Sequence, residues 1–269
     1  MADDSSHMDG TSRLLELLRR VGREEPGAIG FGRPRSGPTR RPALALVAAL
    51  PVAADASIQA ARASGADAVF IPVSAESVPT AGAAEGRASP LCGIAVAQRP
   101  ITPADLDRWQ TAGMDAVAVQ PGAALAACFS SRRPGLLALL DQHLPFDGLR
   151  ATAGLAVEGF VLHDTQEEGR LSGDDLLWLT LAAGLVRGPA LLLSSRIVAE
   201  DLEALVAAGI NGIAIRFPEG SREWHIRDTL AALRTAVDGL DPHLRQGRRD
   251  RAGLGPVTIP AGSLQQGTE

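Results

Sequence analysis

The sequence contains no lysine and no tyrosine, and its single asparagine is Asn211. All 26 basic residues are therefore arginine. Without a lysine amine, Schiff-base aldolase chemistry is excluded, and so is P-loop nucleotide binding, which places a lysine on the phosphates. Two cysteines, Cys92 and Cys128, share no metal or redox spacing and read as reduced thiols of a cytoplasmic protein. No apolar run approaches the ~20 residues of a membrane span, because Pro51 interrupts the run at 43–54. The first residues carry Asp3, Asp4 and Asp9 in place of a basic stretch leading into an apolar one, so no secretory signal is expected. The sequence also has no Gly-x-Ser-x-Gly elbow, no paired Cys–His nucleophile and no aromatic-plus-basic platform for nucleic acid. Neither a nucleic acid nor a membrane is expected as a partner.

What is present is a folding pattern. With 45% hydrophobic and 21% charged residues over 269 positions, the chain has ample surface to bury in one large domain or two small ones. Residues 189–220, PALLLSSRIVAEDLEALVAAGINGIAIRFPEG, read as buried strand, amphipathic helix, glycine stop and second buried strand, one βαβ unit. Weaker copies run back to residue 43. Apolar strands are expected to start at 43, 67, 91, 115, 136, 157, 190 and 212. Helices are expected over 54–64, 102–113, 176–186 and 222–237, with short ones near 123–129 and 147–154 and a short or missing one in 73–89. Thr102 and Ser172 are helix caps by their place before Pro103 and before Gly173-Asp174-Asp175. Strands two, four, six and eight share one entry design: SGADAVF (64–70), AGMDAVA (112–118), LAVEGFV (155–161) and AGINGIA (208–214). A fourfold repeat of this kind favours closure over an open doubly wound sheet. The fold class is α/β, a single (βα)8 TIM barrel with a short N-terminal helix and polar tails.

The boundaries follow from composition. Residues 1–12 are polar and expected to be disordered. Residues 13–42 hold a short amphipathic helix, placed to plug one end of the barrel, and an Arg/Gly/Pro strap. Its glycines at 27, 30 and 32 lack the spacing, the preceding strand and the following helix of a dinucleotide site. Within 13–41 there are eight arginines against Glu16, Glu24 and Glu25, which suits a solvated strap on an otherwise acidic chain of net charge −5. The barrel occupies 43–241, and 242–269 is a flexible tail.

The segment IVAEDLEALVAAGINGIAI (197–215) resembles the seventh-helix, eighth-strand region of the phosphate-binding (ribulose-phosphate-binding, aldolase-type) TIM barrels, such as indole-glycerol-phosphate synthase and thiamine-phosphate synthase. The resemblance implies a phosphate held by backbone amides after strands seven and eight, with Gly220 and Ser221 as half of the cradle. After strand seven, Ser194, Ser195 and Arg196 stand where that superfamily has a glycine and a capping hydroxyl, and its catalytic lysine is missing.

A barrel carries its chemistry at the C-terminal ends of its strands. There the sequence offers Glu76, Gln98, Arg99, Gln120, Asp141, His143, His163, Asp164, Ser195, Arg196, Arg216 and Glu219. His163 and Asp164 are the candidate acid/base pair, though neighbours on a strand face opposite ways, so one of them aims inward. Arg196, Arg216 and Arg99, with Gly220 and Ser221, are the candidate anion binders. No metal motif is present; Asp141, His143 and Glu76 leave a divalent metal open, and no other cofactor is expected. Trp224 and His225 open the last helix near the same mouth. The expected partner is a small phosphorylated or carboxylated metabolite, transformed by lyase or isomerase chemistry, with room for a homo-oligomer. The competing expectation is a non-catalytic barrel that binds or assembles through its Arg-rich flanks.

Overall fold

The computed structural model describes residues 12–21, 42–76, 89–130, 133, 135–142, 144–241 and 244. Apart from Ser12, which is buried and caps the first helix, and residue 244, the segments expected to be disordered or flexible lie outside them, as do the strap from 22 to 41 and His143. Eight parallel strands close in sequence order: β1 (Ala45–Ala49), β2 (Ala68–Val73), β3 (Leu91–Ala95), β4 (Ala116–Val119), β5 (Leu136–Asp141), β6 (Gly159–His163), β7 (Ala190–Ser194) and β8 (Gly212–Arg216). The ring is sealed where β8 pairs with β1, Gly212 against Ala45 through Arg216 against Ala49. Seven α-helices are described: α1 (Arg13–Arg20), α2 (Asp55–Ala63), α3 (Pro103–Thr111), α4 (Phe146–Thr152), α5 (Gly173–Leu185), α6 (Leu202–Ala208) and α7 (Glu223–Gly239).

Apolar strands of period two supply two cores at once. One set, with Leu46, Ile71, Leu140 and Leu162, points outward to the helices. The other, with Val47, Phe70, Leu137, Val161, Leu193 and Ala214, fills the barrel. Capping boxes start α3 and α5: Thr102 with Asp105, and Ser172 with Asp175. Among the described residues between β4 and β5 there is no α-helix. The chain makes two 3-10 turns instead, Pro121–Ala123 and Ala126–Phe129, and pairs with Ile101 through Ile101 N–H to Ala123 O and Leu125 N–H to Ile101 O, both 2.9 Å.

Helix α1 plugs the N-terminal end. Its Leu14, Leu15 and Leu18 are wholly buried and join the inward-facing set, a burial of about 1.5–3 kcal/mol per side chain. Two glycines make the room. A Cβ on Gly159 would stand 2.9 Å from Leu15, and one on Gly212 would stand 2.9 Å from Leu18. The repeated entry design explains how the plug is held. Its polar position is Asp67, Asp115, Glu158 and Asn211 in turn. Asp67 accepts Leu46 N–H (2.8 Å), Glu158 accepts Gly135 N–H (3.1 Å) and the Asn211 side-chain oxygen accepts Ala190 N–H (3.0 Å). Asp115 instead accepts the α1 amides of Arg13 and Leu14 at 3.0 Å, and the Ser12 hydroxyl at 2.8 Å. Glu158 also pairs with Arg19, and Asn211 donates to Leu18 O. One repeated polar position thus ties strands below and anchors the plug.

Candidate active site at the barrel mouth

Alternation decides which polar residues face the mouth. Leu137 and Leu139 face inward on β5, so Asp141 does too, and Val161 carries the same phase to His163 on β6. Ala118 puts Gln120 inward after β4, and Ala214 puts Arg216 inward on β8. Strand register sets Asp141 directly opposite His163. The Asp141 carboxylate lies 2.9 Å from His163 Nδ1 and also accepts a 2.7 Å hydrogen bond from the Gln120 amide. A carboxylate at Nδ1 assigns the proton to that nitrogen. The Nε2 lone pair is then left facing Arg216, whose guanidinium nitrogen is 3.5 Å away. Arg216 is held from its other side by Gln166 O (3.3 Å) and the exposed Glu167 carboxylate (3.9 Å). This gives an oriented base, a cation beside it and access from solvent: His163, Asp141 and Arg216 are 21%, 33% and 27% exposed at their side chains.

The neighbours of His163 and Arg216 are used differently. Asp164 turns away from the mouth and is buried, as is Arg196. Arg196 donates through Nε and one terminal nitrogen to both Asp164 oxygens (2.8 and 3.0 Å), to Asp175 (3.2 Å) and to Arg170 O (2.9 Å). Every guanidinium nitrogen is engaged. The Ser194 hydroxyl donates to Asp164 (2.6 Å) and accepts the Arg196 amide (3.0 Å), so the strand-seven loop satisfies its own backbone. Asp175 is in addition bonded by Ser172 and by the Gln142 amide. Burial presses the Asp175 carboxyl upward, but these hydrogen bonds and the Arg196 charge outweigh it and hold it below its ordinary value. The network fastens β6, β7 and α5 to one another. It also reaches the mouth, because Asp164 accepts Gln166 N–H at 3.0 Å, in the turn whose carbonyl holds Arg216.

Arg99 leans onto the start of α3, where both terminal nitrogens meet Asp105 at 3.0 Å. Asp105 also takes Arg108 (2.7 Å) and the Thr102 amide and hydroxyl. Burial alone would raise this carboxyl; the Arg99 and Thr102 hydrogen bonds and the Arg99 charge more than offset it and hold it at about 2. A depressed carboxyl contributes stability that is complete above its unfolded pKa of roughly 4 and is lost as pH falls through the folded value. Asp105→Asn is accordingly expected to flatten the acid limb of the denaturation midpoint between about pH 4 and pH 2. An acid limb as steep as that of the parent protein would show that Asp105 is not its source.

Gly220 has φ +78° in the turn before α7, and Ser221 is folded back, its amide and hydroxyl both on Pro218 O (3.2 and 2.8 Å). No side chain caps α7, which leaves its first amides toward the mouth end. His225 meets Phe217 edge-on at 6.0 Å and Trp224 at 5.7 Å. Trp109 is core, its ring nitrogen on Ser74 O. Both cysteines are buried free thiols. Among the described residues no three His, Cys, Asp or Glu side chains cluster in a way that would hold a metal, and no helix is long and apolar enough to cross a membrane. The sequence reading named Asp141, Gln120 and Arg216 one by one. It missed Glu167 and the pairing itself, which the β5–β6 register creates.

No family model and no curated protein matches the sequence. Solved structures do match its shape. Phosphoribosyl anthranilate isomerase from Thermus thermophilus aligns with TM-score 0.54 at 17% identity, over 72% of this chain and 99% of that one. Thiamine phosphate pyrophosphorylase from Pyrococcus furiosus aligns with TM-score 0.51 at 15% identity, over 73% and 96%. A mutant tryptophan synthase α-subunit from Pyrococcus furiosus aligns with TM-score 0.51 at 12% identity, over 71% and 98%. The fold these structures share with the chain is the (βα)8 barrel, at sequence identities of 12–17%.

Proposed function

We propose that the chain is a small-anion-binding barrel enzyme of lyase or isomerase type, in which Arg216 holds the acid group of a carboxylated or phosphorylated metabolite and His163 moves a proton. The observation that carries this reading is the line Gln120–Asp141–His163–Arg216, which orients an imidazole lone pair beside a guanidinium on the inner wall of the mouth. An anion on Arg216 sets the atom next to it against Nε2, the geometry of proton abstraction beside an acid group. The imidazolium formed is stabilised by Asp141 behind it, while Arg216 offsets charge developing on the substrate. The start of α7, next to Gly220, has no side-chain cap from Arg222, which favours an anion from the same side.

One observation supports a second reading, a non-catalytic binding barrel. The strand-seven loop, which the resemblance makes half of a phosphate cradle, is closed on itself by Ser194, Asp164 and Arg196.

A thermal-shift series separates them, using phosphate, pyrophosphate, sugar phosphates and 2-oxoacids on the parent protein and on Arg216→Ala. A ligand at 100 times its Kd adds ~2.7 kcal/mol. For a domain of this size that is a rise of roughly 5–10 °C, expected to vanish in Arg216→Ala. No rise with any anion would sink the anion site and leave the binding-barrel reading.

A further inference from the structure

The inner wall of the mouth is two-sided. Its polar inward residues come from β4, β5, β6 and β8, whereas β1, β2 and β3 present Ala49, Pro72, Ile94 and Val96. Val96 follows the inward phase of Cys92 and Ile94 and is fixed by its amide on Val73 O (2.8 Å), yet it is 51% exposed. Four other exposed large apolar side chains lie at this end of the barrel. Val52, Leu125, Phe146 and Trp224 all lie in strand-to-helix connections or at helix starts, which parallel strands place at one face. Two others, Leu177 and Leu181, lie on α5. Trp224 meets His225, whose ring packs edge-on against the buried Phe217 on the helix side of β8. An apolar wall and one oriented cation in the same mouth match a ligand that is charged at one end and hydrocarbon at the other.

We infer that the mouth takes a carboxylic acid with an apolar body, its carboxylate on Arg216 beside His163 and its aliphatic or aromatic part against Pro72, Ile94 and Val96. This rests on the proposed reading of Arg216 and narrows it. A polyhydroxylated sugar phosphate needs hydrogen-bond partners along its length, and Ala49, Pro72, Ile94 and Val96 carry no side-chain donor or acceptor, with one hydroxyl, Ser74, beyond Pro72. A single guanidinium, with Arg196 engaged elsewhere, suits the two oxygens of a carboxylate.

The test is calorimetric titration of the full chain with acetate, butyrate, hexanoate, octanoate and phenylacetate, with ribose 5-phosphate as the polyhydroxylated comparison. Affinity is expected to rise about fourfold per buried methylene along the aliphatic series. The slope should flatten in Val96→Asn, and binding should be lost in Arg216→Ala. Several results would overturn the inference. Flat affinity along the series, with short acids still lost in Arg216→Ala, removes the apolar body and leaves the anion site standing. Ribose 5-phosphate binding tighter than octanoate does the same. A chain-length slope that survives both substitutions places the acids elsewhere on the surface. No binding by any acid or by the sugar phosphate overturns this inference and the anion-site reading together.

Discussion

Replacing Arg196 by alanine is expected to destabilise the fold by about 3–5 kcal/mol, the cost of leaving buried charge without its partner. The midpoint of thermal unfolding should fall by roughly 10 °C. Arg196 and Asp164 are 3% and 4% exposed at their side chains, and Asp175 is 6% exposed. Removing the guanidinium leaves two carboxylates facing each other in a space that water barely reaches. Asp164 keeps the Ser194 hydroxyl and the Gln166 amide, and Asp175 keeps Ser172 and Gln142, so the loss falls short of two bare charges. Arg196→Met combined with Asp164→Asn should recover part of it, because the repulsion is then gone. Urea denaturation of the single and double variants measures both. A single variant within 1 kcal/mol of the parent would mean that the network is not desolvated as described. The same substitution is expected to weaken anion binding at Arg216, since Asp164, which anchors the turn carrying Gln166, is no longer held by the Arg196 guanidinium.

The second large effect is chemical. His163→Ala is expected to lower the rate of proton transfer by about 10²- to 10⁴-fold, the usual contribution of a positioned general base. The fold should be retained, because the imidazole lines an open mouth. Incorporation of deuterium from D2O into 2-oxoacids and other carboxylic acids, followed by NMR, reads this step without requiring the full reaction. Asp141→Asn tests the positioning role. An amide does not supply the negative charge that stabilises the imidazolium, so the exchange rate should fall, while binding of the acid on Arg216 persists. Exchange at parent rates in His163→Ala would remove His163 from the mechanism.

The barrel itself was legible in the chain because its signals are local. Apolar runs such as 190–193 and 212–215 match no solvent-facing pattern, and Thr102 with Asp105 or Ser172 with Asp175 mark helix starts three residues long. The stretch after β4 was expected to hold only a helical turn or two near 123–129, and it makes two 3-10 turns. The plug was readable as well: Leu14, Leu15 and Leu18 repeat at helical spacing, and nothing near them in sequence would cover them. The fourfold entry design was visible as a pattern, but its work was not. That Asp115 caps α1, more than a hundred positions away, follows from closure of the ring.

The site was legible in its members and not in its pairings. Neighbours on a strand face opposite ways, and this alone separated His163 from Asp164. Which of them faces inward depends on the phase set by Val161 against the plugged interior, a property of the packed barrel. Asp141 and His163 are 22 positions apart, and β5–β6 register brings them to 2.9 Å. Arg196 and Arg216 look alike in the sequence, each an arginine ending a strand. One is drawn into Asp164 and Asp175 beneath α5, and the other is left at the mouth beside an imidazole. Composition, periodicity and caps, all short-range properties, determined the eight-stranded architecture and excluded lysine chemistry. Tertiary structure alone decided which charges are neutralised in the core and which remain for a ligand, because burial and strand register are set by residues distant in the chain.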